Sequence, residues 1–487
     1  MEKMRVRFAP SPTGPLHIGG ARSALFNYLL AKQSGGEFIV RIEDTDLERS
    51  NRESEENILS SLQWLGIEWD EGVDKGGDKG PYRQTERMEL YRTYLDQLLQ
   101  NGDAYYCYCS EEELEAERKE LMDKGELPRY LGKCRNLGDA ERECREKEGR
   151  KPVIRFKVTP GMVVTINDMV RNHVSFESDG IGDYIIAKSD GIPTYNFAVV
   201  IDDALMEITH VVRAEEHLSN TPRQIMLYKA LGLQAPKFAH ISLILGKDRT
   251  KMSKRHGSTS VVQYREQGYL PEAIVNFLAL LGWSPEEEEE IFTMEQLIEK
   301  FSMNRVAKNP AIFDLDKLNW INGYYIRQTP VEKITKQAIP HFQKAGLVGD
   351  NLSEAELKRL EAVVGAVQTK ISHLSEIVEK ADVFFNDKLE LAGDKELEVL
   401  KGEQVPSVLD LLTKKLEPEE ELTVETVKPI LKSLTKELEL GGKKVYMPLR
   451  IALTGKTQGP ELFDLIPILG LDGVKNRIAQ AKELAGM

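Results

Sequence analysis

Two strand–loop–helix units follow one another in the first 65 residues, and that order constrains the fold more than any other feature of the chain. Met4 to Phe8 alternate in polarity and stop at Pro10, the pattern of a short strand that runs into a loop. After the loop Pro10-Ser-Pro-Thr-Gly-Pro15, apolar residues recur at Ala21, Ala24, Leu25, Tyr28 and Leu29, a helical spacing. Phe38-Ile-Val-Arg-Ile42 reads as a second strand, and Glu53 to Leu65 as a second helix with Ile58, Leu59, Leu62 and Leu65 on one face. Strand, helix, strand, helix at this spacing predicts a doubly wound parallel sheet of the Rossmann-like kind.

The 487 residues exceed what one hydrophobic core organises and predict three or four domains. From about residue 100 to 190 a Tyr/Cys-rich stretch precedes a charged helix, Glu111 to Lys124. Strand-like segments follow near Val153 to Val158 and Met162 to Ile166, the mark of an α+β insertion. The parallel-sheet pattern resumes with Thr194 to Ile201, His210 to Arg213 and His240 to Leu245. Beyond about residue 265 the pattern is helical, without a repeat. The expected layout is a parallel-sheet domain in two parts, 1–98 and 193–252, split by an insertion at 99–192. Two all-α regions follow, 253–328 and 329–487.

Nothing at the start is apolar enough for a signal peptide. The longest apolar stretch, Ile274 to Trp283, is too short to span a bilayer. Four cysteines do not make a disulfide framework in so long a chain, so a reducing cytoplasm is expected and no membrane. The net charge of −14 is an unpromising start for a nucleic-acid binder. Net charge does not say where charges sit, however. Gly441 to Met487 carries seven Lys or Arg against four Asp or Glu.

Two short segments point to nucleotide chemistry. His17-Ile-Gly-Gly20 opens the first helix, where unpaired N–H groups and the positive dipole end suit phosphate. Glycines there admit a nucleotide close to the backbone. Lys251-Met-Ser-Lys-Arg255 gathers cations that suit developing phosphate charge. Each alone reads as well as a shaped turn or a solvated basic loop.

The pair together resembles the two signatures of class I aminoacyl-tRNA synthetases, HIGH and KMSKS. Gly20 stands for the second His and Arg255 for the last Ser, departures usual in the glutamyl branch. Arg7-Phe-Ala-Pro-Ser-Pro-Thr-Gly14, Arg41-Ile-Glu-Asp-Thr-Asp46, Pro193-Thr-Tyr-Asn-Phe-Ala198 and Val212-Arg-Ala-Glu-Glu-His217 also resemble blocks of that branch, in its order. The resemblance implies ATP-dependent ligation of glutamate to tRNA(Glu) through glutamyl-adenylate, with Mg²⁺ accompanying ATP, in a monomeric protein. It implies that His17, Lys251 and Lys254 are catalytic, and that His17, Gly19, Gly20, Glu216 and Lys254 bind ATP. It implies that Arg7, Tyr195 and Arg213 hold the glutamate side chain, with Ser11 and Glu43 at the α-amino end. The guanidinium fork matches a carboxylate, and Arg7 and Arg213 end predicted strands, where open parallel sheets place ligands. Arg41, Asp44 and Asp46 read instead as structural ion pairs. The acids Asp44, Asp46 and Asp202-Asp203 read as turn caps, not as a metal cluster. Gly455-Lys-Thr457 lacks the spacing of a phosphate-binding loop, since Arg450 stands where a glycine is needed.

Cys107, Cys109 and Cys134 leave two readings. Some members of the family bind zinc here with a His two residues after the third Cys, and this chain has Asn136 there. A related tRNA-modifying paralogue uses a Tyr four residues before its last Cys, where Tyr130 stands. The alternative is three ordinary buried thiols. Three rival functions are weighed. A glutaminyl-tRNA synthetase would have a β-barrel anticodon region, and the modifying paralogue would lack one. A non-catalytic tRNA-binding module would not need His17, Lys254, Arg7 and Arg213 together. In strict glutamyl enzymes an arginine of the anticodon region reads the third anticodon base. The matching segment is Val367-Gln-Thr-Lys-Ile371, with Gln368 in the arginine's place and Lys370 its sole cation. Charging of tRNA(Gln) as well is therefore expected.

Overall fold

The computed structural model describes residues 3–126 and 128–487. Strand β1 (Arg5–Phe8) runs into helix α1 (Ile18–Ser34), then β2 (Glu37–Val40), α2 (Arg52–Trp64) and β3 (Glu71–Gly72). Gly35, at φ 63°, ends α1 in the left-handed conformation that a C-terminal cap needs. At Gly36 a Cβ would run into the Met4 carbonyl, so only glycine lets the chain return against β1. Helix α3 (Met88–Asn101) leads into the insertion. Its elements are β4 (Ala104–Cys107), α4 (Glu111–Asp123), α5 (Asp139–Lys147), β5 (Val153–Phe156), β6 (Val163–Asp168), β7 (Asn172–Glu177) and β8 (Tyr184–Ala187). Strands β4, β5 and β8 form one antiparallel sheet, and β6 and β7 a hairpin. The chain returns through α6 (Tyr195–Leu205), β9 (His210–Ala214), α7 (Thr221–Leu231), β10 (Lys237–Ile241) and β11 (Ile244–Leu245).

The main sheet has the order β10-β9-β1-β2-β3, all parallel. Val6, Phe38, Ile39, Val40 and Val211 are all fully buried in it. A parallel sheet covered on both faces reads as such near-continuous apolar runs.

Two segments differ from the sequence reading. Thr194 to Ile201, expected to resume the sheet, instead enters helix α6, in which Phe197 to Asp203 are all buried. Periodicity cannot tell a helix buried all round from a buried strand, and a parallel strand pair needs a crossover of this kind. His240 to Leu245, expected as one strand, is divided between β10 and β11. Between them the Leu243 N–H donates to the Glu215 carboxylate at 3.0 Å, which interrupts the ladder. Strand β11 then pairs in parallel with β12 (Ala311–Ile312).

One compact unit runs to Arg265 and takes in Pro271–Leu315; the second comprises Glu266–Leu270 and Asp316–Met487. The second unit contains helices and no strand among the described residues. Its helix Val405–Leu416 shows why: Val405, Val408, Leu409, Leu412 and Leu416 are fully buried along one stripe. Each such side chain contributes about 1.5–3 kcal/mol by leaving water. Among the described residues no helix is long and apolar enough to cross a membrane.

Candidate active site

The carboxyl ends of β1, β2 and β9 open onto a cleft of about 740 Å³ in the first unit. Its lining includes Arg7, Ser11, His17, Gly19, Gly20, Glu43, Tyr195, Arg213, Glu216 and Lys251. The structure thus brings together every site residue expected from the sequence outside the cysteine cluster, apart from Lys254, whose side chain lies outside the described residues.

His17 is the N-cap of α1, and its Nδ1 accepts from the Gly19 N–H at 3.1 Å. An imidazole that accepts at Nδ1 carries its proton on Nε2, free to donate to an anion. Burial, then Lys251, lowers its pKa, against a smaller opposing effect of Glu216. The ring is thus a neutral donor beside a helix N-terminus. A side chain at Gly20 would press on Leu16 and the Phe8 ring, at 3.3 and 3.5 Å, so the position stays bare. The stretch that follows the basic segment is tied to the start of this helix by backbone: Ile18 N–H donates to the Thr259 carbonyl and Val261 N–H to that of Leu16, both at 2.9 Å. Lys251 Nζ lies 2.6 Å from Glu216 at the cleft.

Behind the strand ends lies a buried charge network. Arg7 donates through Nε and Nη2 to Asp203 at 3.1 and 3.2 Å. Arg41, fully buried, donates to Asp203 at 2.8 Å and to Glu43 at 3.0 Å, and lies 3.6 Å from Asp202. Arg87 donates to Asp202 at 2.6 Å, and Gln84 and Tyr91 bond the same carboxylate. Arg41 is the structural pair the sequence implied. Asp202 and Asp203, read as turn caps, instead sit inside α6 as buried counter-ions, because that segment is a helix. Burial would raise the Asp203 pKa, but Arg7 and Arg41 hold it below the usual range. Burial raises that of Glu43 despite Arg41 and Arg7.

Arg213 differs from the other three. Its Nε donates to His240 Nε2 at 3.2 Å, and Nη1 to the Tyr195 hydroxyl at 3.2 Å. Nη2 donates to Thr221 Oγ1 at 2.7 Å and to Gln224 Oε1 at 2.8 Å. Every one of these acceptors is uncharged, and among the described residues no carboxylate pairs with it. Burial lowers its pKa first, and Arg7 adds to this. A buried guanidinium held by neutral acceptors keeps an unbalanced charge, and a carboxylate ligand would balance it. Three guanidiniums, Arg7, Arg41 and Arg87, face three carboxylates, Glu43, Asp202 and Asp203; among the described residues Arg213 makes no such direct pair.

In the insertion, the Sγ atoms of Cys107, Cys109 and Cys134 lie within 4.8 Å of one another. The Tyr130 hydroxyl is 3.5 Å from the sulfurs of both Cys107 and Cys109. Tetrahedral zinc with Zn–S near 2.3 Å would set sulfurs about 3.8 Å apart, so the donor set fits. Asn136 is exposed, and the Tyr130 hydroxyl is the further oxygen donor placed beside the thiols. Hydrogen bonds from Cys109 and Cys134 lower the Cys107 thiol pKa. Cys144 is exposed on α5.

Comparison with known proteins decides what this arrangement belongs to. Residues 3–320 match the catalytic domain of class I tRNA synthetases for E and Q, and residues 333–482 an anticodon binding domain. A glutamate–tRNA ligase of Carboxydothermus hydrogenoformans is 64% identical over 476 residues, 98% of this chain and 99% of that one. The chain belongs to the glutamate–tRNA ligase family. A second such ligase, from Heliobacterium modesticaldum, is 61% identical over 100% of this chain and 98% of its own. The crystal structure of a glutamate tRNA ligase from Elizabethkingia meningosepticum in complex with its amino acid matches with a TM-score of 0.88. It shares 35% identity and covers 99% of each chain.

For a glutamate–tRNA ligase the strand-free second unit is the expected form, and the β-barrels of the glutaminyl sister are absent among the described residues. Sequence reasoning missed His217, which lines the cleft with Nδ1 3.1 Å from the Tyr195 hydroxyl. Burial, then Arg213, pushes its pKa down to about 4. Its signal was its place at the end of the Val212–His217 block. Thr221, Gln224, His240 and Asp168 were also missed, and no local motif marks them.

Proposed function

We propose that the enzyme ligates glutamate to tRNA(Glu) in the cytoplasm as a monomer, one chain supplying the whole site. An oxygen of the glutamate α-carboxylate attacks the α-phosphorus of ATP. Pyrophosphate leaves and glutamyl-adenylate forms. A ribose hydroxyl of the terminal tRNA adenosine then attacks the acyl carbon, and AMP leaves. Mg²⁺ accompanies the ATP phosphates. No protein nucleophile is needed, so positioning and charge stabilisation supply the rate. His17, Gly19, Gly20 and Glu216 border the ATP side, with Lys251 and Lys254 as the cations for developing phosphate charge. Arg213, Tyr195 and Arg7 take the side-chain carboxylate, and Ser11 and Glu43 the ammonium group. The observation that carries this reading is Arg213, buried at a strand end with no carboxylate bonded to it among the described residues. ATP–pyrophosphate exchange that depends on glutamate, with tRNA present, tests it; no exchange would leave a tRNA-binding module.

In this reading residues 99–192 meet the acceptor end, 253–328 the stem and 329–487 the anticodon. Zinc held by Cys107, Cys109, Cys134 and Tyr130 would brace the insertion. Metal analysis of protein purified without chelator should find about one zinc per chain, because structural sites are tight. Cys107→Ser should release it; zinc retained in that variant would rule out the ligand set.

Charging of tRNA(Gln) as well belongs to the same proposal. Gln368 is buried, and its amide donates to the Ile326 and Thr329 carbonyls at 2.6 and 2.7 Å, so it has no amide donor for a base. Lys370 lies 3.5 Å from Glu461. Charging assays with each purified tRNA are expected to give comparable kcat/KM values. A preference for tRNA(Glu) of several hundredfold, roughly that of one or two base contacts, would refute the relaxed reading.

A further inference from the structure

The residues behind Arg213 come from two distant parts of the chain. His240, on β10, is fully buried, and its Nδ1 lies 2.6 Å from Asp168 Oδ2. Asp168 ends β6, in the hairpin of the insertion. It also accepts from the His240 backbone N–H at 3.1 Å, and from the Val170 and Arg171 N–H groups at 2.9 and 2.8 Å. Met169 N–H donates to the Phe238 carbonyl at 2.9 Å, so the hairpin is bonded along β10. A carboxylate that already accepts three N–H groups presents only a lone pair to Nδ1. The imidazole proton must therefore sit on Nδ1.

The consequence falls on the other nitrogen. With its proton on Nδ1, a neutral His240 offers a lone pair at Nε2. That atom faces the Arg213 Nε–H at 3.2 Å and the Thr221 hydroxyl at 2.9 Å. The opposite tautomer would point N–H against N–H and turn the guanidinium away. Thr221 and Gln224 fix Nη2 on the far side, so the Nε contact sets the remaining rotation of the fork. Burial first, then Arg213, lowers the His240 pKa against the pull of Asp168.

We propose that Asp168 and His240 are positioning residues for amino-acid selection: the insertion hairpin holds the imidazole in one tautomer, and the imidazole aims Arg213 at the substrate side-chain carboxylate. The proposal rests on the assignment of Arg213 to that carboxylate. It makes the hairpin part of the amino-acid pocket without touching the substrate.

Two substitutions separate positioning from simple anchoring. His240→Asn keeps an N–H near the Nδ1 position for Asp168 but withdraws the acceptor from Arg213. His240→Gln can place an acceptor near Nε2 but gives up the bond to Asp168. Steady-state aminoacylation would be measured at varied glutamate, with saturating ATP and tRNA(Glu). His240→Asn should raise the glutamate KM roughly tenfold to a hundredfold, the effect of one hydrogen bond to a charged group, with kcat and the ATP KM little changed. His240→Gln should raise it less. A KM in His240→Asn equal to or below that of His240→Gln overturns the proposal. Imidazole nitrogen NMR of the wild-type enzyme gives a readout independent of folding in the variants. Its His240 signal should report the proton on Nδ1, and a proton on Nε2 overturns the proposal. Arg213→Ala runs alongside: a near-normal glutamate KM there would remove the pocket assignment itself, whatever the His240 variants do.

Discussion

Arg213→Ala is expected to lower kcat/KM for glutamate by about thirtyfold to several thousandfold while the protein stays folded. Truncating one partner of a buried charged contact typically costs about 2–5 kcal/mol, and each 1.4 kcal/mol is tenfold. The native protein holds Arg213 with four hydrogen bonds to His240, Tyr195, Thr221 and Gln224, none of them charged. Removing it therefore strands no buried carboxylate, and the loss should appear in glutamate use more than in stability. Near-normal glutamate activation by a folded Arg213→Ala protein would show that the pocket lies elsewhere.

The lack of a direct ion pair at Arg213 bears on glutamine as well. Glutamate brings two carboxylates and one ammonium group, a net charge of about −1 at neutral pH. Among the described residues Arg7, Arg41 and Arg87 each pair directly with a carboxylate, and Arg213 does not. In the proposed pocket a glutamate side chain would give Arg213 a charged partner, and glutamine would not. The amide of glutamine would also bring N–H donors to Arg7 and Arg213, which can only donate. On that proposal, rejection of glutamine would come from donors left unpaired in a buried site.

How much of this was legible depended on distance along the chain. The β1–α1–β2 unit was readable because period-two and period-3.6 patterns adjoin, with Pro10 and Gly35 as punctuation. The cleft was readable because strand ends in a parallel sheet place Arg7, Glu43 and Arg213 at one edge. Thr194 to Ile201 was not, since its unbroken apolar run Phe197 to Ile201 carries no period. With that helix misread, Asp202 and Asp203 could not be seen as the counter-ions of Arg7 and Arg41, 196 and 162 residues away. Asp168 and His240 are 72 residues apart, and neither stands in a recognisable motif. Tyr130 was legible only through its spacing from Cys134; the fold brings its hydroxyl 3.5 Å from two of the thiols.

Asp203→Ala is expected to be strongly destabilising. The Asp203 carboxylate is almost fully buried and is shared by two guanidiniums, themselves buried. Such a pair adds little net stability over an apolar replacement, because desolvation offsets the attraction. Removing only the acid is different: Arg7 and Arg41 would remain in a low-dielectric region with one counter-charge fewer. Breaking a buried pair in this way costs about 3–5 kcal/mol, and here two cations are exposed to the loss. A Tm well below that of the wild type is the expected result, with a smaller drop for Asp203→Asn, which keeps the shape and part of the hydrogen bonding. Glutamate use should fall in both, since Arg7 loses the bidentate contact that holds it and Arg41 loses the partner that steadies it against Glu43. An Asp203→Ala protein with wild-type Tm would mean that water or a shifted side chain takes over the charge, and the network would then be no more than a set of independent pairs.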